Sequence, residues 1–149
     1  MTDINSKQYW DHRFSTDWVS AGGHGQTRFF ATLAAKLMPD WFKDLVLREQ
    51  WKICDWGCAE GQGVDELSKW LGVNSITGVD ISEVAIGKAQ ASFSAQAFQS
   101  AVSRRPGRLR RHFFRRIRLN ISTARFDVVA RLAEHTKRFL VLLLPFSGI

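Results

Sequence analysis

Residues 51–80 read WKICDWGCAEGQGVDELSKWLGVNSITGVD, and this stretch decides the fold. A short apolar run, Lys52 to Asp55, ends in an acid. Gly57, Gly61 and Gly63 follow, a composition that permits a sharp turn and close approach of the backbone to a ligand. Val64, Leu67, Trp70 and Leu71 recur on one side of a helix, and Gly72 fits its C-terminal stop. A second apolar run, Ser75 to Asp80, ends in another acid. The pattern predicts a strand, a turn, a helix and a strand, with a carboxylate at each strand tip. The first strand is continuously apolar around Ile53 and Cys54, which suits a central parallel strand covered on both faces.

Working outward, Ser82 is placed to cap a further helix, with Glu83 favourable in its first turn. Val84, Ala85, Ile86, Ala89 and Phe93 carry that helix. Upstream, Phe29, Phe30, Leu33, Ala34 and Leu37 have helical spacing within Gln26 to Leu37, and Pro39 ends the segment. Trp41, Phe42, Leu45 and Val46 continue an apolar face into a second short helix. Residues 1–25 interleave Tyr9, Trp10, Phe14 and Trp18 with charged residues, then turn at Gly22 and Gly23. Those aromatics either cover a ligand or pack as an arm on the domain. Helices, strand, helix, strand, helix is the opening of a doubly wound α/β sheet.

Three features make the central stretch a candidate cofactor site. The backbone N–H groups of a helix N-terminus face the glycine turn and favour an anion or carboxylate. The carboxyl end of the strand opens on the crevice where doubly wound sheets bind ligands. Asp80 can accept hydrogen bonds from the vicinal hydroxyls of a ribose. The dinucleotide pattern GxGxxG fails in detail, because Gly57 is followed by Ala59, Gly61 and Gly63. The pairing of Asp55 before the turn with Asp80 beyond it is the more specific signal.

Asp55-Trp56-Gly57-Cys58-Ala59-Glu60-Gly61 resembles the first motif of class I S-adenosylmethionine-dependent methyltransferases, with Ala59 in place of the middle glycine. Thr77-Gly78-Val79-Asp80-Ile81-Ser82 is similar to their second-strand motif. Tyr9 to Phe30 resembles the leading arm of some bacterial members. Phe126 to Val129 looks like their fourth strand, and Phe139 to Phe146 like their fifth. The resemblance implies a Rossmann-like doubly wound parallel sheet and S-adenosylmethionine as cofactor. It implies that Gly57, Cys58, Ala59, Glu60 and Gly61 lie against the methionine part, and that Asp55 orders this turn and orients the amino group. It further implies that Asp80 binds the ribose and that Ile81 flanks the adenine. No catalytic residue is assigned. Glu134-His135 is set aside, because Ala133 interrupts the family's Leu-Glu-His.

Downstream the pattern changes. Residues 1–100 carry a net charge of −3 and residues 101–149 a net charge of +10, within a total of +7. Arg104 to Arg118 holds eight Arg in fifteen residues. Leu109, Phe113 and Ile117 recur every four residues there, as in a basic amphipathic helix. That helix would suit nucleic-acid phosphates or a membrane surface, though a stretch from a shifted reading frame or internal rearrangement over residues 99–124 is the favoured reading. No third strand is read between Phe98 and Ala124. Only Ala130 to Lys137 separates the two strands read after it, too few residues for a parallel crossover. No segment reads as the family's sixth or seventh strand.

The organisation expected is therefore one domain over 149 residues. It comprises an N-terminal helical arm (1–50), a cofactor-binding βαβα core (51–98), an atypical Arg-rich segment (99–124) and two terminal strands (125–149). The sheet is α/β and lacks the usual last strands. Phe139 to Phe146 is too short to span a bilayer and the N-terminus has no apolar signal core, so a cytoplasmic location is expected. Cys54 and Cys58 lack the ligand company zinc needs, and no metal is expected. The leading function is methyl transfer from S-adenosylmethionine to a small-molecule acceptor. The alternatives are a non-catalytic methyltransferase remnant and, less favoured, a basic nucleic-acid-binding protein.

Overall fold

The computed structural model describes residues 6–101, together with the backbone of 117–121 and 139–143. Three helices lead: α1 Lys7–Thr16, α2 Gly23–Leu37 and α3 Asp40–Arg48. Then come β1 Ile53–Trp56, α4 Gln62–Leu71, β2 Ile76–Asp80, α5 Glu83–Ser92, β3 Ala97–Ser100, β4 Ile117–Ile121 and β5 Phe139–Leu143. The described strands form one parallel sheet in the order β3-β2-β1-β4-β5. The order reverses beside β1, between β2 on one flank and β4 on the other. That is the switch point at which α/β sheets open a crevice at their carboxyl ends.

Local chemistry explains the boundaries. The Ser6 hydroxyl accepts the Tyr9 N–H at the start of α1, and the Ser82 hydroxyl accepts the Ala85 N–H at the start of α5. Helix α2 stops at Leu37, ahead of Pro39, which in turn stands at the N-cap of α3. Gly72 closes α4 in the left-handed conformation, at φ +69°. The five residues of β2 are all buried, as are Ile53, Cys54 and Asp55 of β1. Covered on both faces, these two strands are continuously apolar up to their terminal acids. The core forms around Trp51, Val46, Val64, Leu67, Leu71 and Ile76. α2 packs on α4, and Gly63 permits a close approach, since a Cβ there would lie 3.2 Å from Thr27 Cγ2.

The C-terminal part corrects the sequence reading at two places. A third strand does exist: β3 runs parallel to β2, pairing Gly78 with Phe98 and Asp80 with Ser100. It is short and only Phe98 in it is buried, so no apolar run announces it. The strand beside β1 is Ile117–Ile121, with Ile53 opposite Ile117 and Trp56 opposite Asn120. Ile117 and Arg118 therefore extend as a strand where the four-residue spacing predicts a helix. Ile-Arg-Leu-Asn-Ile alternates with period two, which is the strand signal. With β4 here, residues 122–138 separate it from β5, ample for a parallel crossover. The proposed strand Phe126 to Val129, the helix positions Leu109 and Phe113, and Glu134-His135 lie outside the described residues. β5 coincides with the apolar run that begins at Phe139.

Candidate functional site

The tips of β1 and β2 and the turn between β1 and α4 meet at the crevice. Three turn residues are left-handed: Gly57 (φ +84°), Ala59 (φ +51°) and Gly61 (φ +92°). Glycine adopts this region freely, whereas alanine is disfavoured there by roughly 1–2 kcal/mol. Ala59 is held in it by its neighbours. Its N–H donates to Asp80 Oδ2 at 2.9 Å. The Gly57 and Cys58 N–H groups both donate to the Val79 carbonyl, at 2.7 and 3.1 Å, and the Gly61 N–H returns to the Cys58 carbonyl at 3.0 Å. The turn is thus stitched to the end of β2.

Asp80 receives a second backbone hydrogen bond, from the Ser82 N–H to Oδ1 at 2.8 Å. Two hydrogen bonds leave lone pairs on both oxygens for further donors. Asp55 is more isolated. It is 1% exposed, and its Oδ1 has no hydrogen-bond partner among the described residues. Burial first, and then the nearby Asp80, push its carboxyl up to about 7. Asp80 is raised too, chiefly by burial, with the Ser82, Ala59 and Ile81 N–H groups working in the opposite direction. Cys58 lies fully buried beside these acids, and burial together with Asp55 and Asp80 pushes its thiol upward. None of the ion pairs formed among the described residues includes Asp55 or Asp80. Among the described residues the site therefore holds two acids with no cation paired to them.

The eight candidate residues are not equivalent. Gly57, Cys58, Ala59 and Gly61 build the turn, and Asp80 closes it. Ile81, next to Asp80, is 37% exposed and offers an apolar side chain at the strand tip. Glu60 has another engagement. Its carboxylate is only 4% exposed and is held between His24 Nε2 and Lys88 Nζ, the latter at 2.9 Å. Lys88 also donates to the Phe14 carbonyl of α1. A second link joins α1 to the tip of β2, because the Ser82 hydroxyl donates to Asp11 Oδ1 at 2.6 Å. Lys7 pairs with Asp11 and, at 3.2 Å, with Glu83. Hydrogen bonds from Lys7, Ser82 and Val84 outweigh partial burial at Asp11 and hold its carboxyl below the usual range.

The aromatic arm is packed on the domain. Phe14 is buried with Ala59 and Ala85, and Trp10, Trp18 and Val84 lie against them. The Phe14 and Trp18 rings meet at a tilt of 58°, with centroids 4.7 Å apart. Asp11, His24 and Lys88 were not singled out from the sequence, yet they fix α1 and the turn. A usable signal existed for Lys88, the single cation in α5.

No family model matches the chain, and no curated protein matches it in sequence. Solved structures do match in fold. The plantazolicin methyltransferase BpumL in complex with SAH superposes with a TM-score of 0.57 at 19% identity, covering 94% of this chain and 59% of that one. The same enzyme with a triazolic desmethylPZN analog and SAH gives 0.54 at 17% identity, with coverages of 92% and 60%. DesVI of Streptomyces venezuelae gives 0.53 at 16% identity, with coverages of 89% and 58%. The chain spans about three fifths of the length of these proteins. Over that span it has the α/β Rossmann-like fold of the SAH-bound methyltransferase.

Proposed function

We propose that the chain binds S-adenosylmethionine at the tips of β1 and β2 and transfers its methyl group to a small-molecule acceptor. The observation that carries this reading is the pair of buried acids, Asp55 and Asp80, flanking a left-handed turn and forming no ion pair among the described residues. A ligand bearing an ammonium and a sulfonium would balance them, and the unpartnered Asp55 Oδ1 offers it an acceptor. The likeness in fold to an SAH-bound methyltransferase supports the same reading.

The residues fit the cofactor in parts. Asp80 has lone pairs for the ribose hydroxyls, and its two backbone hydrogen bonds hold the carboxylate in place. Ile81 presents an apolar side chain for the adenine. Asp55 balances positive charge. S-adenosylmethionine, when bound, supplies an electrophilic methyl group on a sulfonium. The protein's part is then alignment: a fixed turn and fixed acids hold the reactants in line and exclude water, an effect that can be worth several kcal/mol.

Titration calorimetry of the purified chain with S-adenosylmethionine tests this. Binding near the micromolar range, about −8 kcal/mol, that drops at least tenfold in Asp80→Ala supports the site. A folded wild-type chain that gives no heat of binding sinks it. Binding without methyl transfer to any of a panel of small acceptors would restrict the reading to cofactor capture.

A further inference from the structure

The pairing of Lys88 with both Glu60 and the end of α1 has no role in the reading above, and it links three elements to the turn. Helix α1 ends at Thr16, and the Asp17 and Trp18 N–H groups both return to the Arg13 carbonyl. The Phe14 carbonyl therefore falls among the last-turn acceptors that the helix does not satisfy, at the negative end of its dipole. The Lys88 ammonium donates to it. The same ammonium lies 2.9 Å from Glu60 Oε1, and His24 of α2 takes Oε2. Glu60 directly follows Ala59, the residue held left-handed against its own preference. One cation on α5 thus joins α1 to the turn, and one carboxylate on the turn joins α5 to α2.

We propose that Lys88 and Glu60 are positioning residues that strap α1 across the rim of the cofactor site, so that α1 and the turn hold or release a bound S-adenosyl compound together. This rests on the preceding assignment of the site. Geometry favours coupling over independent packing. Phe14, whose carbonyl takes the strap, also buries its ring against Ala59 and Ala85. Removing α1 uncovers Ala59, and loosening Glu60 weakens the hold on the C-terminal end of α1, which the Ser82–Asp11 link does not reach. Lys88 is not a catalytic residue here, since it touches only protein.

The test uses the full chain and S-adenosylhomocysteine as probe, with variants Lys88→Met, Glu60→Gln and their double. Lys69→Met, which breaks the remote exposed pair with Asp65, is the control. Dissociation of the probe, followed by tryptophan fluorescence, should quicken about tenfold or more in each single variant. The double should be no faster than the faster single, because both remove one strap. Additive effects, or rates equal to wild type, overturn the proposal. Hydrogen exchange gives a readout that needs no ligand. Amides of α1 should lose protection in Glu60→Gln while those of β1 and β2 keep it. Unchanged α1 protection, or loss spread over the sheet, overturns the strap. A wild-type chain that ignores the probe sinks the cofactor reading, and the exchange result still decides the strap.

Discussion

Asp55 is closed off from water, and its charge has two opposite consequences for pH. With its folded pKa raised from 3.8 to about 7, the folded chain holds a proton that the unfolded chain has already lost over that interval. Its stabilising contribution is complete below pH 3.8 and is lost as pH rises through 7, a decline on the order of 4 kcal/mol. The unfolding free energy of the ligand-free chain, read from urea titrations, should fall by roughly 3 kcal/mol between pH 4.5 and 7.5, and Asp55→Asn should flatten the profile. A profile unchanged by the substitution would show that Asp55 ionises as freely folded as unfolded. Affinity for a cationic cofactor runs the other way, because only the ionised acid balances positive charge. Binding of S-adenosylmethionine near pH 6 should therefore release a proton. Calorimetry in buffers of different ionisation enthalpy measures that release directly.

At the scale of elements, the two helix N-caps at the crevice, Ser82 of α5 and Gly61 of α4, carry the most information. Ser82 caps α5, accepts from Ala85, donates to Asp11 and presents its N–H to Asp80. Ser82→Ala should lower stability by about 1–2 kcal/mol through the lost cap, and the orphaned Asp11 should loosen α1 in hydrogen exchange. Equal stability of the variant would mean that water replaces the hydroxyl. At Gly61, a Cβ would approach Phe98 Cζ to 2.8 Å while φ stands at +92°. Gly61→Ala should cost roughly 2 kcal/mol or more from strain and overpacking together, read from the shift in thermal midpoint.

Across the whole molecule, what could be read from sequence follows how each element is buried. β1 and β2 are central and covered on both faces, so their apolar runs and terminal acids stand out. α4 and α5 carry their own stops and caps, Gly72 and Ser82, in plain view. β3 was illegible because one buried phenylalanine does not make a pattern. β4 departs from the helix expected there because Ile117, which completes a four-residue spacing with Leu109 and Phe113, also opens a period-two alternation with Leu119 and Ile121. The turn of the candidate site was legible from its glycines and acids. The residues that brace it were not, since Asp11 meets Ser82 across 71 residues and His24 meets Glu60 across 36. Local patterns carry no record of such long-range pairs.

Phe98 also ties three distant positions into one unit of change. Its ring fills the space of two missing side chains: a Cβ at Gly78 would lie 2.6 Å from Phe98 Cδ1, and one at Gly61 2.8 Å from its Cζ. As long as the phenylalanine stands, position 78 is closed to anything larger than glycine. A smaller residue at 98 removes only part of the obstruction, because Cys58 Sγ would still lie 2.8 Å from that Cβ. Mutational drift at this site should then be linked, with an alanine at 78 rejected beside Phe98 and Cys58 and tolerated only after both have become smaller. The order in which these substitutions arrive decides whether the intermediate protein folds.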